Sequence, residues 1–94
     1  MTMMFARHTV SDYSNWKRIY DDLASLRKEN GVTKASVYRD PGDPNTLIIT
    51  HQFKDMKAAQ AFANSEELKS GMAKAGVIGH PEFWFGENLE NTSY

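Results

Sequence analysis

Between residues 3 and 10 the side chains fall into two alternating sets, Met4, Ala6, His8 and Val10 against Met3, Phe5, Arg7 and Thr9. A period of two puts these sets on opposite faces of a β-strand. The period then lengthens. Trp16, Ile19, Tyr20, Leu23 and Leu26 recur at spacings of three and four, behind Ser11 and Asp12, whose side-chain oxygens can cap the first free N–H groups of a helix. Lys17, Asp21, Asp22 and Lys28 occupy its outer face, and Gly31 stands where a left-handed stop is wanted.

Residues 32–39 are β-branched and aromatic enough for a second strand, and residues 40–45, Asp-Pro-Gly-Asp-Pro-Asn, are turn chemistry. Alternation resumes over residues 46–53, with Leu47, Ile49, His51 and Phe53 on one side and Ile48, Thr50 and Gln52 on the other, which predicts an antiparallel hairpin. Asp55 caps a second helix bearing Met56, Ala59, Phe62 and Ala63. Ser65 followed by Glu66 and Glu67 predicts a restart within it, after which Leu68, Met72 and Ala75 continue the apolar face to Gly76. Gly79-His80-Pro81 reads as a turn before a last strand over residues 82–87, with Phe83 and Phe85 opposite Trp84.

The order βαββαβ and right-handed crossovers predict an α+β, ferredoxin-like fold, a four-stranded antiparallel sheet with two helices on one face. The 94 residues suit one domain, residues 1–94, with a polar stretch at 88–94 that reads as a loose tail. The other sheet face is left bare. If Phe5, Ile48, Tyr38 and Trp84 lie on it, its three aromatics alone offer ~450–750 Å² of contact at ~150–250 Å² each. The largest patch on a typical monomer is ~300–600 Å², so a homodimer through this sheet face is expected.

Eleven Lys and Arg against twelve Asp and Glu give a net charge of −1, no field for collecting phosphate backbones or anionic lipid. Neither nucleic acid nor membrane is an expected partner. The chain has no cysteine and no apolar run near the ~20 residues that span a bilayer, and the expected location is cytoplasmic. His8 and His51 are the leading chemical candidates. They share a side with large apolar residues on neighbouring strands, where an imidazole beneath Trp16, Tyr20, Phe62 or Met72 can take a proton near neutral pH. Histidines in sheets also serve as hydrogen-bonded structural residues, and these aromatics also serve as core. No carboxylate at strand spacing completes a metal site, and no glycine-rich phosphate loop or nucleophile elbow is present, so no metal is expected.

The runs 7–13 (Arg-His-Thr-Val-Ser-Asp-Tyr), Trp16-Lys17 with Tyr20, the hairpin from Val37-Tyr38-Arg39-Asp40 to Asp43-Pro44-Asn45, residues 62–68 and residues 72–77 together resemble the dimeric α+β barrel proteins. Within that superfamily the chain is similar to the antibiotic biosynthesis monooxygenase-like domains, over residues 3–87. The resemblance implies a cofactor-independent monooxygenase acting on an aromatic or polyketide-like small molecule in an apolar pocket between sheet and helices. His51 would be its base, His8 a helper, and Trp16, Tyr20, Phe62, Met72 and Phe83 its substrate walls. Haem-degrading members use an axial histidine on the second helix; residues 56–75 contain none, and no cofactor is expected. The alternative is a non-catalytic homodimer of the same fold that binds a small apolar ligand or acts as an interaction module.

Overall fold

The computed structural model describes residues 1–94. Its elements run β1 (Thr2–Val10), α1 (Tyr13–Asp22), α2 (Ala24–Glu29), β2 (Val32–Asp40), β3 (Asp43–Phe53), α3 (Met56–Ala63), α4 (Glu66–Lys74) and β4 (Val77–Glu87). The strands form one antiparallel sheet in the order β2-β3-β1-β4. This is the ferredoxin-like α+β arrangement that the element order predicts. The even-numbered residues of β1 point under the helices, where Ala6, Val10, Leu47 and Ile49 pack with Trp16 and Ala75. A second cluster joins Met4, Phe53, Ala59 and Phe62. Period-two alternation at the sheet and period-3.6 alternation in the helices thus meet in one layer.

Three boundaries depart from the sequence expectation. The first helix divides at Leu23, where φ and ψ are −94° and 12° and the amide is shared between the carbonyls of Ile19 and Tyr20. The Leu23 side chain reaches Gly71 of α4 so closely that a Cβ there would lie 2.6 Å from Leu23 Cδ1. Second, the hairpin is tighter than residues 40–45 suggested. Asp40 accepts the Gly42 amide at 2.7 Å and pairs with Asp43, so β3 begins three residues earlier. Third, Gly79-His80-Pro81 is not a turn before the last strand. It is a bulge inside β4, where the register passes from Thr9↔Ile78 to Arg7↔Glu82. Gly79 absorbs it with φ 72°, and His80 is exposed.

The restart expected near Ser65 is present. The Ser65 hydroxyl accepts the Leu68 amide at 3.2 Å and donates to the Phe62 carbonyl at 2.8 Å, and Glu66 and Glu67 occupy the first turn of α4. Replacing Ser65→Ala should therefore cost about 1 kcal/mol in urea unfolding. A loss below a few tenths would show that α4 does not depend on this cap.

On the outward sheet face Phe5 stacks on Trp84 with ring centroids 5.7 Å apart. The next row runs Tyr38, Ile48, Arg7 and Glu82 across all four strands. Tyr38 is 56% and Trp84 45% exposed. Arg7 lies among them, 3.0 Å from Asp40 and 3.6 Å from Glu82. Residues 88–94 form no helix or strand; the Asn88 amide bonds the Met1 carbonyl at 2.9 Å. No helix is long and apolar enough to cross a membrane.

Candidate functional site

A cleft lies between the inner sheet face and the helices, and thirteen of its seventeen lining residues are hydrophobic. His8, His51, Trp16, Tyr20, Phe62, Met72 and Phe83, all singled out from the sequence, line it. They arrive from six elements. β1 and β3 contribute the histidines through their inward alternation, α1 contributes Trp16 and Tyr20 one turn apart, α3 and α4 contribute Phe62 and Met72, and β4 contributes Phe83. The cavity volume is about 60 Å³, well short of the ~300–1,000 Å³ typical of small-molecule pockets. An enclosed chamber of several hundred cubic ångströms is therefore not what the side chains leave open.

The histidines are 8% and 5% exposed, and none of their four ring nitrogens has a hydrogen-bond partner in the protein. Backbone carbonyls do not satisfy them, which removes the simplest structural account of buried strand histidines. His51 meets Phe53 and Phe62 edge-on, with centroids 6.3 and 5.6 Å away. His8 meets Trp16 at 6.0 Å, and Trp16 in turn stacks on Tyr20 at 4.9 Å. Burial pushes both imidazoles down from the ordinary 6.5 to about 4, and at His51 the positive charge of Arg27 adds to the effect. Both rings are thus neutral at pH 7, each with one donor and one acceptor nitrogen.

The expected partnership of the two histidines does not form. His51 pairs with Met4 across the sheet, and His8 with Leu47. The offset of four residues sets their backbones ~13 Å apart along the strands, at ~3.3 Å per residue. They serve two separate stretches of one cleft wall, and His8 does not orient His51. His80 and Phe85 lie outside the cleft. Arg39 rests over the Tyr13 ring at 4.8 Å and bonds the Pro44 carbonyl. Nowhere do three His, Asp or Glu side chains gather as metal ligands would.

Sequence reasoning did not assign Arg27, Leu23 and Gly71 to the cleft, which they also line. For Arg27 a signal existed: it stands four residues after Leu23 and seven after Tyr20, on the apolar stripe of the first helix.

The sequence profile described as antibiotic biosynthesis monooxygenase matches residues 14–74, from α1 through α4 and including His51. The chain belongs to this family. No curated protein matches the sequence. Among solved structures, the chain is similar to a Deinococcus radiodurans protein assigned to the antibiotic biosynthesis monooxygenases, at 15% identity and TM-score 0.75, covering 100% of this chain and 98% of that one. An assigned monooxygenase from Bordetella bronchiseptica gives 9% identity and TM-score 0.80 over 95% of this chain and 97% of its own. SnoaB, a cofactor-independent oxygenase from Streptomyces nogalater, gives 12% and 0.76 over 96% and 94%. At these identities the likeness establishes the antibiotic biosynthesis monooxygenase fold, while chemistry must be argued from the cleft.

Proposed function

We propose that this family member is a cofactor-independent monooxygenase that oxidises an electron-rich aromatic or polyketide-like molecule in the cleft between sheet and helices. The observation that carries the reading is the pair of buried neutral imidazoles without protein partners in an otherwise apolar wall. A buried polar atom left unbonded costs ~1–3 kcal/mol, and a bound substrate that bonds it recovers that cost. His51 is the base. Its acceptor nitrogen takes a proton from an activated C–H of the substrate, and the resulting carbanion gives one electron to dioxygen. Recombination of the radical pair forms a C–O bond. The imidazolium returns its proton to the peroxide, which loses water as the second C–H proton departs, so that CH₂ plus O₂ becomes C=O plus H₂O.

The narrow cleft must widen to admit a ring system. The element suited to yield is α2, which has six residues, no side-chain bond at its N-terminus and no buried residue. Pairing of two chains through the face of Phe5, Tyr38 and Trp84 belongs to the same reading. It would cover the exposed aromatics and leave the helix side of the sheet to the ligand.

Oxygen uptake with a panel of phenols and anthrone-like compounds tests the proposal. For any compound turned over, His51→Gln should lower the rate at least ~100-fold, the lower end of what a positioned base contributes. Undiminished turnover in His51→Gln would remove the assignment. A second reading, ligand binding without turnover, draws support from the absence of any group that orients either imidazole, since catalytic bases are generally held by a third group. Binding of these compounds with no oxygen consumed would select it.

A further inference from the structure

The cleft wall contains one charged side chain, Arg27, and no carboxylate. Its guanidinium lies 3.7 Å over the Tyr20 ring, and one terminal nitrogen donates to the Tyr20 carbonyl at 2.7 Å. These two contacts hold the planar group in place without neutralising it. The ion pairs of the protein lie elsewhere, between Arg7 and both Asp40 and Glu82, Lys17 and Asp21, and Lys69 and Glu66. Asp21, the residue after Tyr20, is occupied by Lys17 one turn earlier, whose ammonium reaches both carboxylate oxygens at 2.6 Å. Arg27 is half-buried, so its charge is partly desolvated; the charge of Asp21 offsets this in part, but no carboxylate forms an ion pair with it. A cation so placed is costly unless something pairs with it.

Arg27 also lies between the cleft and an outer groove lined by Lys28 and Lys34. A protein with a net charge of −1 thus gathers Arg27, Lys28 and Lys34 beside the cleft. Within the cleft, Arg27 is near enough to His51 for its charge to be felt there.

We propose that the cleft receives an aromatic molecule carrying a single anionic oxygen group, a carboxylate, phenolate or enolate, with Arg27 as the residue that binds the anion. The ligand is oriented by this contact. Its charged end lies beside His51 and Arg27, and its apolar end extends toward Trp16 and His8. Arg27 offers the anion donor nitrogens not committed to Tyr20, in the fork geometry suited to a carboxylate. The assignment rests on the cleft being a ligand site, and it adds the charge and direction of the ligand.

Titration calorimetry with 1-naphthoate and 1-naphthamide, which share a ring system and differ in charge, separates the two claims. Wild-type protein should bind the carboxylate at least tenfold more tightly than the amide. Arg27→Gln removes the charge and keeps a polar side chain; it should abolish the preference, and Arg27→Lys should restore part of it. Naphthoate should also raise the pKa of His51, read from its ring protons, in wild type and not in Arg27→Gln. Should Arg27→Gln fail to fold, the wild-type preference and a weaker one in Arg27→Lys carry the test. Equal wild-type affinities, or a preference surviving in Arg27→Gln, overturn the role of Arg27 while leaving the cleft as a ligand site. If neither naphthyl compound binds, the cleft reading itself fails and this assignment goes with it.

Discussion

Acidification from pH 6.5 to pH 4 should cost the protein several kcal/mol of stability, and replacing both His8 and His51 by leucine should remove most of that loss. The sign follows from where the proton binds. In the folded chain both imidazoles titrate at about 4, whereas the ordinary value is 6.5. As pH falls through this window the unfolded chain takes up the protons first and is favoured. The histidine contribution is therefore intact above pH 6.5 and lost as pH falls toward 4. At ~1.4 kcal/mol per pH unit for each group, the two together amount to at most about 7 kcal/mol. A domain has only ~5–15 kcal/mol in all, so acid unfolding within this range is the expected result.

Urea unfolding at half-unit steps from pH 7.5 to 4 measures the slope. Asp40 and Asp43 confuse nothing here. Hydrogen bonds hold their carboxyls below the usual 3.8, Asp40 chiefly through the Gly42 amide and Arg7, and Asp43 through Thr46 and the Asn45 amide. Their contribution is present above pH 3.8 and is lost only below the histidine window. A flat wild-type profile between pH 6.5 and 4 would contradict the burial of neutral imidazoles. At pH 7 the double leucine variant should be at least as stable as wild type, because it replaces four ring nitrogens lacking protein partners by apolar atoms. If it also loses ligand binding, the histidines serve the cleft at the expense of the fold.

The two tryptophans should give opposite results. Trp16 is buried, stacks on Tyr20 and Tyr13, and meets His8 edge-on. Trp16→Ala should cost about 3–5 kcal/mol, the range for emptying a large aromatic site, and should destroy one end of the cleft. Trp84 is also aromatic and also in contact with a ring, Phe5, but it lies on the outward face and is 45% exposed. Under conditions that keep the chain monomeric, Trp84→Ala should change stability by less than about 1 kcal/mol, as for surface substitutions in general. Its effect belongs to association: Trp84→Asp should shift sedimentation toward monomer mass at micromolar concentration. A wild-type protein that sediments as a monomer there would end the proposed pairing. Equal destabilisation by Trp16→Ala and Trp84→Ala would mean that the two sheet faces are not distinguished as the structure has them.

Much of this architecture is written in local patterns. Alternation over β1 and β3 separates Met4, Ala6, His8 and Val10 from Phe5 and Arg7, because a strand cannot present adjacent residues on the same side. Asp12, Asp55 and Ser65 mark helix starts, because each side chain accepts an amide only two or three residues ahead. Such interactions close within a turn of chain and can be read without knowing what lies beyond it. The inward histidines and the aromatic wall of the cleft follow from the same periodicities.

The remainder depended on parts of the chain meeting across the fold. Leu23 is a good helix former, and its own sequence neighbours do not announce the break that its approach to Gly71 accompanies. The four-residue offset between His8 and His51 is a property of how β1 pairs with β3, and register is decided by all the contacts of both strands at once. The phase that puts Tyr38 and Trp84 on the face of Phe5 is likewise decided by pairing. The width of the cleft is less legible still, because it is the small volume left after many side chains from separate elements have packed. Periodicity therefore determined which residues face inward, whereas tertiary packing decided how far apart they stand and how much room remains between them.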